Sequence, residues 1–396
     1  MRTAVVVGAG VAGLAVAGAL ARGGWQVTLL EAQDRVRADP TALVLWPNGI
    51  RALHALGLGG GLEAIATPLR DGGIRRPDGH RLVQPRVATG DRAPVVVHRE
   101  DLHDALIAGL GDRVEIRTGV RVTRAEPGDR PSVSDGRYTY AADLVVAADG
   151  IDSAVRRRVA PESAVVSSGC AAWRAVIPWY RAPELPAEAL GGEVLGPGYR
   201  FVAASLGDRG ASGASTRGGI YWIVTAAGAA RPEPPATQLA LLRRWLAGWP
   251  APVGELLAAT DPGDLLQQDV RELRPLPRSY GFPGGDGGVV LMGDAAHAMP
   301  HHLGQGACLA FEDAATLSAL VAAARPGEQL RAAVESYSRL RLPRATTVVR
   351  QTRRMSAVLR ARGRLALRAR DAALGAITPR LLGNAASTAA DWRPPA

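Results

Sequence analysis

Three short segments of this chain combine glycines with a carboxylate where a nucleotide could bind. They are Gly8 to Gly13 (GAGVAG) with Glu31 further on, Asp149-Gly150, and Gly293-Asp294 with Gly304-Gln305-Gly306 after it. A carboxylate accepts hydrogen bonds from a polyol, whereas glycines let the N–H groups at a helix start approach a phosphate or a partly anionic ring. The residue types therefore indicate a ligand with hydroxyls, phosphates and a polarised ring.

The first glycine segment stands between a predicted strand and a predicted helix. Thr3 to Val7 is a β-branched apolar run, and Leu14 to Leu20 has the composition of a buried, small-residue helix. In such a turn, Gly8 makes the tight bend, Gly10 lets the backbone meet a pyrophosphate, and Gly13 permits close packing of helix on strand. The pattern predicts a dinucleotide site.

A predicted strand also precedes each carboxylate. Gln26 to Leu30 ends at Glu31, at the usual distance after the glycine turn for an acid that binds a ribose 2′-hydroxyl. A Glu at this position predicts FAD or NAD rather than NADP. Leu144 to Ala148 runs into Asp149, and Val289 to Met292 runs into Gly293. Ligands of open α/β sheets bind at the carboxyl ends of strands, which is where these acids are expected.

The 396 residues are enough for two domains that share an interface. Between 170 and 276, strands that carry most of the Trp and Tyr predict a second, mixed-sheet domain. A further strand is expected at Val120 to Val122, and helices at Gly306 to Ala324 and Gln329 to about Arg362, the last kinked or interrupted by Pro343. The predicted α/β organisation is a discontinuous first domain (1–70, 98–169 and 277–330), a mixed-sheet substrate domain (71–97 and 170–276), C-terminal helices (331–384) and a frayed tail (385–396).

Composition excludes several classes of mechanism. The hydrophobic content of 47% and charged content of 21% are ordinary for a globular protein. The sequence has no lysine, which excludes a P-loop, a pyridoxal phosphate Schiff base and a lysine-dependent halogenase. Cys170 and Cys308 lie outside any metal-ligand spacing, so we expect no metal and a cytoplasmic location. Ala4 to Ala21 is uncharged, but its glycines argue against a membrane span.

The net charge of +10 has a local origin. Between Arg331 and Asp371 the sequence has twelve arginines against two acids. A basic helix of this kind could contact nucleic acid or a membrane surface. Because no aromatic residues are interleaved and no nucleic-acid motif accompanies it, a solvated helix is the favoured interpretation, and we expect no nucleic-acid partner.

The three segments, taken in order, resemble the single-component (class A) FAD-dependent aromatic hydroxylases, the para-hydroxybenzoate hydroxylase-like family. The resemblance covers nearly the whole chain and implies that family's fold, in which a Rossmann-like FAD-binding domain adjoins a mixed-sheet substrate domain. Its motifs are GAGVAG with Glu31, Ala147-Ala148-Asp149-Gly150, Gly293-Asp294-Ala295-Ala296-His297, Trp46-Pro47-Asn48-Gly49, His98-Arg99-Glu100-Asp101-Leu102, Ala172-Trp173-Arg174, Gly304-Gln305-Gly306 and Glu312-Asp313-Ala314.

The resemblance implies a cofactor role for each motif residue. The implied FAD contacts are Gly8, Gly10, Ala12 and Gly13 at the pyrophosphate, Glu31 at the adenosine ribose, Arg37 and Arg99 near the flavin, Asp149 and Gly150 at the FAD and NAD(P)H pyrophosphates, Gly293 and Asp294 at the ribityl chain, and Gly304, Gln305 and Gly306 at the isoalloxazine. NAD(P)H is implied as a transient co-substrate, with NADH and NADPH both left open.

The reaction implied is a monooxygenation. NAD(P)H reduces FAD, O2 forms a C4a-hydroperoxide, and one oxygen passes to an electron-rich aromatic or heteroaromatic molecule, by hydroxylation or epoxidation. A nearby base or acceptor would make a phenol or indole a better nucleophile. The candidates are His301 and His302, before the flavin-facing glycines, and Tyr221 on a strand of the second domain. For each, core packing is the alternative. We expect a monomer or a homodimer.

The chain departs from the family pattern near the flavin. Ala32 follows the ribose acid where Arg or Lys is common, and Pro40 and Ala42 stand in a loop that usually has glycines. Proline stands at Pro300, one position before its usual place at His301. These changes predict a stiffer loop over the flavin and a different backbone beside the site of oxygen transfer.

Two other functions stay open at this point. A flavin reductase or dehydrogenase of related fold would keep FAD without oxygen transfer. A nucleotide-binding regulator would use the arginine-rich helix on an acidic partner, and its binding would be sensitive to salt.

Overall fold

The computed structural model describes residues 1–70, 72–84, 93–207, 217–376 and 391–395. Its strands, in chain order, are β1 (Thr3–Val7), β2 (Gln26–Leu30), β3 (Ala42–Leu45), β4 (Ala66–Pro68), β5 (Ile74–Arg75), β6 (Arg81–Val83), β7 (Val95–His98), β8 (Val114–Arg117), β9 (Arg124–Glu126), β10 (Ser132–Ser134), β11 (Thr139–Ala141), β12 (Leu144–Ala147), β13 (Val165–Pro178), β14 (Glu193–Leu195), β15 (Tyr199–Ser205), β16 (Gly219–Ala227), β17 (Leu266–Leu273), β18 (Gly281–Gly284) and β19 (Gly287–Leu291).

The α-helices of the same described ranges follow the chain from the glycine turn to the arginine-rich region. They are α1 (Val11–Arg22), α2 (Pro47–Ala55), α3 (Leu62–Ile65), α4 (Arg99–Ala108), α5 (Ala154–Val159), α6 (Pro235–Trp245), α7 (Val253–Ala259), α8 (Asp294–His297), α9 (Gly306–Val321), α10 (Glu328–Leu359) and α11 (Arg364–Ala376).

A six-stranded sheet in the order β18-β19-β12-β1-β2-β8 forms the core of the first domain. The strands from β19 to β8 run parallel, and β18 is antiparallel at the edge. Their valine- and leucine-rich runs are buried because helices cover the sheet, as parallel sheets require. Val7 pairs with Ala147, and Ala147 pairs with Leu291. The predicted Rossmann-like α/β fold is confirmed, and the glycine and carboxylate segments follow three neighbouring strand ends.

A seven-stranded mixed sheet, β17-β13-β16-β15-β14-β5-β6, forms the second layer of the molecule. One face buries Trp173, Trp222 and Phe201 against α6 and α7. The indole N–H of Trp222 donates to Thr260 at 2.9 Å, and that of Trp173 donates to Gln238 at 2.8 Å. Large aromatic residues are stable inside a core when the polar atom finds such a partner. This explains why tryptophan concentrates in this part of the sequence.

The opposite face of this sheet is directed toward the first domain. Ala172, Tyr221 and Ile223 share an apolar cluster with Ala42 and Val96, which lie on β3 and β7. Side chains alternate between the faces of a strand, so every second residue of β13, β15 and β16 lies on this side. This face of the mixed sheet, which we call the cleft face, therefore packs toward the first domain.

Two strand predictions need correction. Val120 to Val122 is not a strand, because the N–H of Val120 bonds to the carbonyl of Glu31 in a connection between elements. The strand begins later, at β9, and forms a small sheet with β10 and β11. The prediction assigns the end of the range 71–97 to the mixed-sheet domain, but β7 (Val95–His98) pairs with β3 and β4 and not with the seven-stranded sheet.

Of the two alternatives expected at Pro343, the interruption is wrong, since α10 is continuous from Glu328 to Leu359, and the kink stays a prediction. Proline removes one N–H donor from a helix. Here the flanking side chains of Arg341 and Arg344 bind buried carboxylates on α9, which offsets the missing bond. The frayed tail is wrong at Trp392, which packs against the core of the first domain. Residues 385–390 and 396 of that prediction lie outside the described residues.

The arginine-rich region is not a solvated stripe. Many of its arginines bind groups within the fold: Arg331 the carbonyl of Gly285, Arg353 the carboxylate of Glu272, Arg362 the carbonyl of Ala227, and Arg370 the carbonyl of Gly196. These side chains fasten the C-terminal helices to both sheets. Within the described residues, no helix is both long and apolar enough to cross a bilayer.

Candidate functional site

The glycine turn after β1 has little room for side chains and one open position. Gly8 has φ of +97°, and a Cβ there would lie 2.5 Å from the carbonyl oxygen of Ala148. A Cβ on Gly13 would lie 1.8 Å from the carbonyl oxygen of Gly8, whereas nothing lies within 4 Å of one on Gly10. No side chain caps α1, whose first-turn N–H groups include that of Ala12. The turn thus leaves space and free donors for a phosphate at Gly10.

Glu31 is fixed at the carboxyl end of β2. One carboxylate oxygen accepts the N–H of Ala9 at 2.8 Å, and the other accepts the N–H of Gln33 at 2.8 Å. His103 lies behind this turn, with Nε2 2.9 Å from the carbonyl oxygen of Ala9. Each carboxylate oxygen keeps a further lone pair for a ribose hydroxyl. The acid and the glycine turn therefore form one preorganised unit.

Asp149 and Gly150 follow the next strand end. The carboxyl group of Asp149 is removed from water, which raises its pKa, and its Oδ2 accepts the N–H of Ala154 at 2.9 Å. Gly150 has φ of +76°, a conformation that favours glycine. Beyond this turn, the carboxylate of Asp152 binds Arg271 of β17 at 2.8 Å. The turn therefore lies where the two domains meet.

Gly293 and Asp294 follow the third strand end. Gly293 has φ of +58°, and a Cβ there would lie 3.1 Å from that of Ala12 on α1. Its N–H donates to the buried carboxylate of Asp313 at 3.0 Å, whereas the side chain of Asp294 is exposed. An exposed carboxylate beside the glycine turn can accept hydrogen bonds from the hydroxyls of a polyol chain.

The Gly304-Gln305-Gly306 turn, which we call the ring-facing turn, leaves space beside its backbone. Gly304 has φ of +62°, and a Cβ on Gly306 would meet nothing within 4 Å. Gln305 is buried, and its Oε1 accepts the amide of Asn48 at 2.9 Å. No side chain caps α9, so the N–H groups of its first turn are available. This is a flat, positively polarised surface suited to a planar ring with anionic character.

Arg37 lies in the loop between β2 and β3, and Arg99 is the first residue of α4. Arg37 donates to Gln33 at 3.0 Å, and Arg99 lies 3.5 Å from the carboxylate of Asp39. The N–H of Arg99 also bonds to the carbonyl of Thr41 at 2.7 Å. These contacts attach the loop to the start of α4.

The structure brings the predicted histidines and Tyr221 together at the cleft face. His301 Nε2 lies 2.8 Å from the hydroxyl of Thr225 on β16, and the rings of His301 and His302 are 5.0 Å apart. Tyr221 lies on the same face of β16 as Thr225. Neither ring nitrogen of His302 has a partner among the described residues.

Burial sets the protonation state of these three side chains. It lowers the pKa of His302 to about 3, with a smaller contribution from Arg200. It also lowers the pKa of His301 well below its usual value and raises the pKa of the Tyr221 phenol. At neutral pH both imidazoles are therefore uncharged and the phenol keeps its proton. In these forms they can orient a ligand through hydrogen bonds.

Two arginines of the cleft face were missed as site residues from the sequence. Arg174 on β13 donates to Gln268 of β17, and no carboxylate of the described residues lies within ion-pair distance of it. Arg200 on β15 binds the carboxylate of Glu193 and donates to the carbonyl of His302 at 3.2 Å. The signal was present, because Arg200 alternates with the buried Phe201 and must point to the other face.

A buried ion cluster beneath the Gly304-Gln305-Gly306 turn was also missed. It consists of Glu312, Asp313, Arg341, Arg344 and Asn48. Arg341 binds Asp313 at 2.7 Å and Glu312 at 2.8 Å, and all three are almost completely buried. Arg344 and the amide of Asn48 each bind Glu312 at 2.7 Å. Two acids and two arginines balance the charge, as buried ions require.

Comparisons with known proteins agree with this geometry. An FAD binding domain family model matches residues 1–185 and 283–352, more than half of the chain. The chain is 31% identical over 367 residues to an FAD-dependent urate hydroxylase of Klebsiella pneumoniae, covering 89% of this chain and 88% of the relative. It is 34% identical over 361 residues to a 3-amino-4-hydroxybenzoate 2-monooxygenase of Streptomyces cremeus, covering 89% and 86%.

The fold is shared with solved structures. A Klebsiella pneumoniae protein crystallised with FAD and uric acid superposes with a TM-score of 0.79 at 27% identity, covering 98% of this chain and 96% of the other. The residues described above fit FAD, since the glycine turn is open at Gly10, the ring-facing turn is open at Gly306, and Glu31 and Asp294 are available to hydroxyls. The chain belongs to the FAD-dependent aromatic hydroxylases and is an FAD-dependent monooxygenase.

Proposed function

We propose that this enzyme uses O2 and NAD(P)H to hydroxylate a small, electron-rich aromatic compound that carries an anionic group. FAD, when bound, supplies the redox chemistry with O2, and the protein positions the substrate and excludes water. The substrate would lie in the cleft between the ring-facing turn and the cleft face of the seven-stranded sheet.

The charge of the cleft is the observation that supports an anionic group on the substrate. Arg174 is a permanent cation, and Gln268 is the partner of its guanidinium, with no carboxylate paired to it among the described residues. His301, His302 and Tyr221 add no charge at neutral pH. A partly buried arginine without a counter-ion is stabilised by a carboxylate or phenolate, and it can bind a carboxylate in a bidentate fashion.

The remaining cleft groups would orient the aromatic ring. Apolar side chains such as Ala172 and Ile223 supply the wall that excludes water. The Tyr221 hydroxyl can donate a hydrogen bond to a substrate oxygen, and His302 can accept one from a phenol. His301 is held by Thr225 at 2.8 Å and would fix the position of the turn. These side chains are therefore assigned to binding and orientation of the substrate. Burial disfavours the charged imidazole, so neither histidine is an effective proton acceptor.

Some of the relatives support a substrate of this class, whereas a Pseudomonas aeruginosa relative is named for a quinolone without a carboxylate, 2-heptyl-3-hydroxy-4(1H)-quinolone. Two Streptomyces relatives, from Streptomyces cremeus and Streptomyces platensis, are named for a carboxylated aminophenol, 3-amino-4-hydroxybenzoate. The Klebsiella relatives are named for urate. We further propose the domain division predicted from the sequence, except that β7 is left out of the substrate domain and Trp392 out of the frayed tail. We also propose the FAD contacts of Gly8, Gly10, Ala12, Gly13, Glu31, Arg37, Arg99, Asp149, Gly150, Gly293, Asp294, Gly304, Gln305 and Gly306. A cytoplasmic location and a monomeric or homodimeric state stay predictions.

The test compares a carboxylated substrate with its uncharged counterpart. NAD(P)H oxidation would be followed with 3-amino-4-hydroxybenzoate, urate and ortho-aminophenol, and products would be analysed by mass for one added oxygen atom. The expected result is that the carboxylated aminophenol stimulates NAD(P)H oxidation and that its product gains one oxygen. Stimulated oxidation without oxygenated product from any aromatic anion would favour a reductase and contradict the proposal.

Arg174→Gln separates the charge from the rest of the pocket. The variant is expected to raise KM for the carboxylated substrate by at least about tenfold, as expected for loss of a charge-assisted pair. For ortho-aminophenol, which carries no carboxylate, KM should stay nearly unchanged. Arg231→Gln, an exposed arginine outside the cleft, serves as the control. An equal rise for both substrates would contradict the assigned role of Arg174.

A further inference from the structure

The buried ion cluster connects the segments that face FAD. Asp313 Oδ2 accepts the N–H of Gly293 at 3.0 Å and lies 2.7 Å from Nε2 of His297. On the other side, Asn48 donates to both Glu312 and Gln305. The backbone before Asp294 and the side chain of the ring-facing turn are thus bonded to one group of charges. A shift of that group would move both segments.

The C-terminal segment reaches this cluster from outside. The ring of Trp392 lies over Arg341, with 5.8 Å between the ring centroid and the guanidinium carbon. Its carbonyl oxygen accepts the Nε–H of Arg51 at 3.0 Å. Arg51 is on α2, one helical turn after Asn48, so Trp392 bridges α2 and α10. The rest of the ring packs on the core of the first domain.

The position of Trp392 suits a screen between the cluster and water. A cation over an indole ring is attracted by the quadrupole of the ring, more strongly when water is excluded. Arg341 is 1% exposed and forms ion pairs with two carboxylates. If water entered beside Arg341, the higher local dielectric would weaken its bonds to Asp313 and Glu312. Those are the bonds that fix the FAD-facing segments.

We propose that Trp392 is a positioning residue for the cofactor, which acts through Arg341 to hold the Gly293-Asp294 and Gln305-Gly306 segments in their FAD-binding geometry; this inference rests on the FAD contacts proposed above. The rest of the fold does not depend on it, since α9 and α10 also pack through fully buried residues such as Phe311 and Val334. Trp392 itself is only half-buried. Its removal should therefore affect cofactor binding more than folding.

The experiment titrates FAD into full-length chain that has been stripped of cofactor, following the change in flavin fluorescence. Trp392→Ala is expected to raise the FAD dissociation constant about tenfold. Trp392→Phe keeps an aromatic face over Arg341 and should stay within about threefold of wild type. Trp179→Ala removes an exposed tryptophan of the other sheet and is the matched control, expected to bind FAD as wild type does.

A second measurement separates positioning from stability. The thermal midpoint of the cofactor-free chain should fall by similar small amounts in Trp392→Ala and Trp179→Ala. Equal FAD affinity in these two variants would overturn the proposal. So would a loss of affinity in Trp392→Ala that is matched by a large fall in the midpoint, or a Trp392→Phe variant as weak as Trp392→Ala. Because the titration needs neither substrate nor O2, its result is independent of the proposed reaction.

Discussion

The imidazole of His302 makes the stability of the fold depend on pH. Burial lowers its pKa from 6.5 to about 3, so the folded chain holds this side chain neutral where the unfolded chain would protonate it. Between these two values the unfolded state binds more protons, and the free energy of unfolding therefore falls as the pH falls. The contribution is absent above pH 6.5 and grows as the pH decreases toward 3.

The magnitude can be worked out at pH 5. The unfolded imidazole is then almost fully charged, and charging it is favourable by about 1.5 pH units, or ~2 kcal/mol at 1.36 kcal/mol per unit. The folded imidazole remains neutral at pH 5 for any pKa well below that value. The expected fall in the free energy of unfolding therefore depends on the ordinary pKa of histidine. The exact pKa of His302 in the folded chain hardly changes it.

The assay is urea unfolding at pH 7.5 and pH 5, in saturating FAD, of wild type and of His302→Gln. The quantity of interest is the change in the free energy of unfolding between the two pH values. Titrating groups away from His302 contribute equally to both proteins and cancel. His301, whose ring is 5.0 Å away, stays neutral in both because its own burial is the main cause of its lowered pKa. Wild type should lose about 2 kcal/mol more than the variant. His80→Gln, at an exposed histidine, should lose as much as wild type.

A variant with the same pH dependence as wild type would refute the reasoning. It would mean that His302 is either charged in the folded chain or open to water. The first case would require a carboxylate beside the ring, and the described residues place none in ion-pair contact with it. The second would conflict with a side chain that is 3% exposed.

Three further predictions concern the cofactor site and the domain boundary. Gly10→Ala should weaken FAD binding at least about tenfold in a fluorescence titration, without changing the thermal midpoint of the cofactor-free chain. Gly13→Ala should lower that midpoint, because a Cβ on residue 13 would lie 1.8 Å from a carbonyl oxygen. Asp294→Asn should raise the FAD dissociation constant about tenfold with an unchanged midpoint, since its side chain is exposed and the charge-assisted bonds to hydroxyls are lost. Glu272→Gln should lower the free energy of unfolding in urea by about 2 kcal/mol, because Arg353 and Arg274 lose a buried counter-ion. An unchanged free energy of unfolding would contradict the stabilising role of Glu272.

The sequence predicts the parts of the site in which one short segment contains the functional residues and also determines their conformation. A strand, a glycine turn and a helix are contiguous, so the conformations of Gly8, Gly293 and Gly304 follow from local rules. The parallel order of the strands then places the three segments at neighbouring strand ends. The fold class and the cofactor follow from these local features.

The missed parts depend on pairings between distant segments. Thr225 meets His301 across 76 positions, and Arg341 meets Asp313 across 28. No periodicity within either segment predicts such a partner. The interruption expected at Pro343 is wrong for the same reason, because the contacts that keep α10 continuous come from α9. Strand alternation could have placed Arg200 on the cleft face, but only the tertiary structure identifies what that face meets.

Arginines of the second domain make the contacts that define the cleft. Arg217 binds Asp104 of α4 at 2.9 Å, Arg271 binds Asp152 at 2.8 Å, and Arg200 donates to the carbonyl of His302. Each of these cations is matched by an oxygen of the first domain. Arg174 is on the same sheet, yet its guanidinium meets only the neutral amide of Gln268 among the contacts of the described residues. A negative group on the substrate would complete this pattern, since it would give Arg174 the partner that the other arginines find in the FAD-binding domain.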